Sequence, residues 1–196
     1  MSRTALIVGA GSGNSASFAR ALRVAGFKLV LAARNISKLE ALCNEIGATS
    51  ISCDASSAES VGELFEAMEK AVGVADTVLY NASAYSAGHG SIFFTGATAS
   101  VKGFPGYAPF AMGKFALRGL AQSLARELGP QNIHVAHFII DGGIASPGRD
   151  IQAVDQQYAD DQLEPDAIAQ TYMAVLNQHR SAWTHEIDLR PWVESF

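Results

Sequence analysis

A chain of 196 residues with 48% hydrophobic side chains can bury one sizeable core, so a single domain over residues 1–196 is expected. A net charge of −5, with acids and bases interspersed, offers no cationic footprint for phosphate backbones and excludes nucleic acid as a partner. No run reaches 18 apolar residues, and the first residues carry neither a charged n-region nor a small-residue cleavage site, so a cytoplasmic protein without a membrane partner is expected.

In chain order, short apolar runs at Thr4–Val8, 28–32, 49–53, Thr77–Tyr80, 92–95, Ile133–Ile140 and Glu186–Leu189 read as strands. Helical periodicity lies between them. Ile36, Leu39, Leu42, Cys43 and Ile46 form one helical face, and Val61, Leu64, Phe65, Met68 and Val72 form another. Phe115, Leu117, Leu120, Leu124 and Leu128 mark a long amphipathic stretch, and Pro165 opens a last helix through Ile168, Tyr172 and Val175. Gly26, Gly47 and Gly73 follow helix ends, where a left-handed residue is useful. This alternation predicts βαβ units, hence an α/β fold with a doubly wound parallel sheet in a three-layer α/β/α, Rossmann-like arrangement.

Cys43 and Cys53 lack metal-ligand spacing and read as buried thiols without a disulfide. His134 and His137 differ by three on a strand and point to opposite faces, while His89, His179 and His185 are scattered, so no metal site is expected. Trp183 and Trp192 read as core caps or subunit contacts.

The turn Gly9-Ala10-Gly11-Ser12-Gly13-Asn14-Ser15 follows the first strand and opens a helix. There, glycines let backbone N–H groups and a helix N-terminus approach a pyrophosphate. At the end of the second strand, Ala33 stands where an acid would bind a ribose 2′-hydroxyl, and Arg34 follows it. Without the acid, and with a cation in reach of a 2′-phosphate, the pattern favours NADP(H) over NAD(H); the other reading of Arg34 is a solvated residue at a helix start.

With Phe110 and Lys114 at i and i+4, the chain resembles the short-chain dehydrogenase/reductase family from Thr4 to Pro191. The turn fits that family's Gly-x-x-x-Gly-x-Gly, with Gly9 and Gly13 matched and Ser15 in place of the last glycine. The resemblance implies an oxidoreductase acting on a small-molecule carbonyl or alcohol, and a homodimer or homotetramer. It also implies that Gly9, Gly11, Ser12, Gly13, Asn14 and Ser15 hold the pyrophosphate and that Asp54 meets the adenine edge, although Asp54 also suits a helix-start turn. Asn81 and Ala82 match the family's Asn-Asn-Ala-Gly beside the cofactor, and Lys114 matches the lysine that binds the nicotinamide ribose. Asp141-Gly142-Gly143-Ile144-Ala145-Ser146 matches the family's Pro-Gly-x-x-x-Thr, placing Gly142, Ile144 and Ser146 at the nicotinamide carboxamide, with Asp141 loosening the turn.

The catalytic set departs from the family. The tyrosine that donates the proton is Phe110, and the serine that orients the carbonyl is Ala97. A positioned general acid is worth ~10²–10⁴ in rate, so weak or altered activity is expected. Thr95, Thr98 and Ser100 read as strand-end or turn residues, and Tyr107 as a partly buried residue at the helix start. These losses leave two functional classes open: an NADP(H)-dependent oxidoreductase with an incomplete catalytic set, or a non-catalytic NADP(H)-binding regulatory or scaffold protein.

The resemblance breaks near Gly88. Residues 82–91 cannot hold a helix, whereas a parallel crossover needs a dozen or more residues. The family places several dozen residues there. The expectation is a missing or disordered segment near 86–91, with a break between Tyr85 and Ile92 and an expressed protein several kilodaltons heavier; a true deletion would leave a bare sheet face for a partner subunit to cover.

Overall fold

A computed structural model of the chain describes residues 3–55, 57–80, 90–145 and 160–194. Seven strands form one parallel sheet: β1 (Thr4–Val8), β2 (Lys28–Ala33), β3 (Thr49–Ser52), β4 (Thr77–Tyr80), β5 (Gly90–Thr95), β6 (Ile133–Ile140) and β9 (Glu186–Leu189). Their order is β3-β2-β1-β4-β5-β6-β9, so the winding reverses between β1 and β4. Two short strands, β7 (Gly143–Ile144) and β8 (Gln162–Leu163), pair separately and were not evident from the sequence, being too brief to show alternation.

The inner strands are buried along their length, β1 and β6 at every residue, because helices cover both faces. On one side lie α1 (Asn14–Val24), α2 (Glu40–Ile46) and α5 (Pro165–Leu176), where Phe18, Leu22, Leu42, Ile168 and Tyr172 pack on Ile7, Leu31, Phe93 and Phe138. On the other side α3 (Ala58–Ala71) covers Leu6, Val30 and Val78 through Leu64 and Met68. Beside it, α4 (Ala108–Leu128) covers Ile92, Phe94, Ile133 and Val135 through Ala121 and Leu128. Local signals set the boundaries. Ser57 caps α3 by accepting from Ser60 N, Pro109 and Pro165 sit in first turns, and Gly26, Gly47 and Gly73 all take positive φ after helices.

Two expectations need correction here. The sheet face beside the short connection is not bare: Val78, Ile92 and Phe94 are each 1% exposed or less. Helices α3 and α4 reach far enough over the paired strands to cover it. The apolar surface instead lies on α4 and the turn before it, at Phe104, Met112, Phe115 and Leu120. The stripe read from 115 to 128 therefore mixed two faces, since Leu117, Leu124 and Leu128 point inward while Phe115 and Leu120 point out. β4 and β5 are direct parallel neighbours, Thr77 opposite Ser91, joined by residues 81–89. The anticipated break falls on that connection and so lies outside the described residues.

Candidate active site

At the C-terminal ends of β1 and β2, beside the point where strand order reverses, a cleft of about 620 Å³ opens. Open α/β sheets present ligand crevices at such reversals. Its walls come from the glycine-rich turn (Gly9, Gly11, Ser12), the stretch that follows β2 (Arg34, Lys38) and the stretch that follows β3 (Cys53, Asp54). Gly9 takes φ +73 and its N–H donates to Ala32 O at 2.9 Å, which folds the turn back on β2. A side chain at Gly11 or Gly13 would meet no protein atom within 4 Å, so the surface they leave is free for a ligand. Ser15 is buried and its Oγ accepts from Gly11 N at 2.9 Å; it braces the turn from inside and does not crowd the cleft. Arg34 and Asp54 are both exposed at the rim, and the Asp54 N–H donates to Ser60 Oγ.

Phe110 and Lys114, expected at the Tyr and Lys positions, meet as their spacing requires. The Lys114 ammonium lies 5.7 Å from the Phe110 ring centroid, with both on one face of α4. It donates to Thr95 O at 2.9 Å, and burial lowers its pKa from the ordinary lysine value. Phe110 is half exposed. Ala97 follows the end of β5, and its N–H donates to Ser100 Oγ at 3.1 Å. Ser100 therefore holds the turn. Tyr107 is 61% exposed, so the expectation of a partly buried ring fails; it precedes α4 in a turn that projects from the core.

Asp141 does not loosen its turn. Its N–H donates to Leu189 O at 2.8 Å, a bond that proline cannot make, and its carboxylate accepts from the Thr98 hydroxyl. Arg190 lies 3.6 Å from the same carboxylate. These contacts stitch the Ala97 turn to the strand end that carries Gly142. A Cβ on Gly142 would come within 3.0 Å of Leu163 and Pro191 at φ +141, so glycine is required there. Ile144 is half buried and pairs with Leu163. Asn81, Ala82 and Ser146 lie outside the described residues.

Sequence reasoning missed a second polar network. His137 is fully buried; its Nδ1 lies 2.9 Å from Glu186 Oε2, and Glu186 also receives both Arg118 Nε and Nη2 at 2.8 and 2.7 Å. The Arg118 guanidinium, helped by His137, holds the Glu186 carboxyl down to about 2. Burial lowers the His137 pKa against the pull of Glu186, which keeps the ring neutral near pH 7. A Cβ on Gly96 would lie 2.3 Å from His137 Nε2, so the strand end accommodates the imidazole only because residue 96 is glycine. His134 points the other way and stacks on Trp183 at 4.7 Å, whereas Trp192 is 82% exposed and caps no core among the described residues. Among the described residues no group of three His, Cys, Asp or Glu converges as a metal site.

Comparison with known proteins fits this geometry. The short chain dehydrogenase profile matches residues 3–88, and the enoyl-(acyl carrier protein) reductase profile of the same family matches residues 81–186. The second match alone spans more than half of the chain. The chain belongs to the short-chain dehydrogenase/reductase family. A short-chain dehydrogenase of Rhodopseudomonas palustris is 32% identical, with a TM-score of 0.77 over 97% of this chain and 99% of that one. An NADPH-bound short chain oxidoreductase of Pseudomonas aeruginosa PAO1, described as containing an atypical catalytic center, shares the fold at a TM-score of 0.82 and 17% identity, over 99% and 97% of the two chains. An uncharacterized oxidoreductase of Staphylococcus aureus strain USA300 is 25% identical over 231 residues, covering 96% of this chain and 97% of that protein. That matched span exceeds the 196 residues here, so this relative carries residues that this chain lacks. The chain is thus a short-chain dehydrogenase/reductase-like oxidoreductase by descent, and no helix among the described residues is long and apolar enough to cross a membrane.

Proposed function

We propose that this protein binds NADP(H) and is an oxidoreductase with an incomplete catalytic set. The observation that carries the reading is the open cleft bounded by the bare glycine turn on one side and Arg34 and Lys38 on the other. Two cations and no acid at the β2 end suit a 2′-phosphate, and Ala33 removes the group that would repel it. The backbone N–H groups of the turn and the start of α1 suit a pyrophosphate. In the same reading Asp54 meets the adenine edge, Lys114 binds the nicotinamide ribose, and Asn81, Ala82, Gly142, Ile144 and Ser146 flank the nicotinamide. The cofactor, when bound, supplies or accepts hydride.

The chain's own residues then orient a small carbonyl or alcohol substrate without the family's acid. Phe110 supplies an apolar wall where a phenol would donate, and Ala97 offers no hydroxyl. Lys114 remains as the one titratable group of that set, its charge spent on Thr95 O and the ribose and not on lowering a tyrosine pKa. The same substitutions favour a second reading, a non-catalytic NADP(H)-binding regulator or scaffold. Steady consumption of NADPH with a panel of aldehydes and ketones supports the first reading; binding without consumption supports the second.

Exposed Phe104, Met112 and Phe115 on and before α4 support assembly as a homodimer or homotetramer, which light scattering tests. The chain reads as a single domain with a missing or disordered segment near 86–91, which intact-mass spectrometry tests. A protein of this sequence in the cytoplasm would find the reduced cofactor there.

A further inference from the structure

The phenol of Tyr172 lies at the buried junction of the two halves of this site. Helix α5 carries it beneath the sheet, and its ring is fixed by Phe18 at 5.3 Å, Phe138 at 4.0 Å and Phe93 at 6.3 Å between centroids. It is 0% exposed. Packing alone would be served by phenylalanine, and a buried hydroxyl costs free energy unless it is hydrogen-bonded. Here Tyr172 Oη lies 2.9 Å from Thr95 Oγ1.

Thr95 ends β5, and its carbonyl receives the Lys114 ammonium at 2.9 Å. A chain of contacts therefore runs from Tyr172 on α5 through Thr95 to Lys114.

We propose that Tyr172 is a positioning residue for the nicotinamide half of the cofactor site, its hydroxyl tying the strand end that holds Lys114 to α5. The inference rests on the NADP(H) reading above. Tyr172 itself touches no ligand; it acts through Thr95. The adenosine half, built from Arg34, Lys38 and Asp54, stands apart from this chain of contacts.

That separation supplies the test. Calorimetric titration of the full chain with NADPH and with 2′,5′-ADP, which carries the adenosine and 2′-phosphate but no nicotinamide, separates positioning from general loosening. In Tyr172→Phe, NADPH should bind about tenfold more weakly, ~1.4 kcal/mol, while 2′,5′-ADP keeps its affinity within about twofold. Thr95→Val removes the other end of the contact at similar volume and should reproduce the split; it decides the matter alone if Tyr172→Phe does not fold. Equal weakening of both probes, or of neither, overturns the proposal while the cofactor reading stands. Failure of the unaltered protein to bind either probe overturns both.

Discussion

If the protein has the function proposed above, the two halves of this sheet have kept different things. Around β1 to β3, everything that a dinucleotide needs from the backbone is in place: a glycine turn open to ligand, a serine bracing it from below, and cations at the rim. Around β5 and β6, the scaffold persists but the reactive hydroxyls do not. Lys114 stands where its helix puts it, beside a phenylalanine. Half-buried networks occupy the neighbouring space: Thr98 with Asp141 and Arg190, and His137 with Glu186 and Arg118. On the proposed function, binding and chemistry are separable in this fold, because backbone geometry carries the first and a few side-chain termini carry the second.

The contrast is broken most directly by restoring chemistry to the second half. Phe110→Tyr places a phenol within reach of Lys114 and should raise carbonyl reduction by ~10² or more, the low end of what a general acid contributes. Adding Ala97→Ser should raise it further. Because residues of one catalytic unit are not additive, the pair should exceed either single change. Steady-state NADPH oxidation measures both; no gain from Phe110→Tyr would mean that the acid is not the principal loss.

The first half is probed by Arg34→Ala. A charge-assisted contact to a 2′-phosphate is worth on the order of 1–3 kcal/mol, so NADPH affinity should fall by ~10–100-fold while NADH affinity is unchanged. Equal affinities for the two cofactors in the unaltered protein would remove the basis for the NADP(H) assignment.

The half-buried network in the second half makes a prediction about acid. Glu186 has its pKa held down to about 2 in the folded chain, chiefly by Arg118, from an ordinary value of 4.5. A depressed carboxylate contributes stability that is present above the ordinary value and lost as pH falls through the folded value. Urea unfolding should therefore show a loss on the order of 1–3 kcal/mol between about pH 4.5 and 2 that Glu186→Gln abolishes. A smaller effect concerns Lys114. Since burial lowers its pKa, NADPH affinity should decline severalfold as pH rises through that lowered value, below the usual lysine range, and Lys114→Met should bind weakly with no such slope.

Much of the fold was legible because its strands are buried on both faces and its helices end on glycines. Runs such as 4–8 and 133–140 could be drawn within a residue, and Gly26, Gly47 and Gly73 turned where left-handed residues were expected. The i, i+4 pair at 110 and 114 was legible for the same reason, since one helix fixes both. Contacts between distant parts of the chain were not. His137 and Glu186 are 49 residues apart and Thr95 and Tyr172 are 77 apart, so no local period links them. Tyr172 read as one more apolar contact of its helix, and Asp141 as a missing proline, because a side chain's partners are set by packing and not by spacing. The outward face of α4 misled for a related reason: apolar residues lie on both sides of that helix, and periodicity alone does not say which side meets the sheet.

One measurement bears on the central claim, that the cofactor half is intact and the catalytic half is not. The unaltered protein, saturated with NADPH as judged by calorimetry, is assayed for NADPH oxidation with a panel of aldehydes and ketones. The account predicts clear binding and turnover at least ~10²-fold below an ordinary enzyme rate of about 10 s⁻¹. Reduction of any of these carbonyls at about 10 s⁻¹ would contradict it and would show that a residue other than Phe110's lost counterpart supplies the proton.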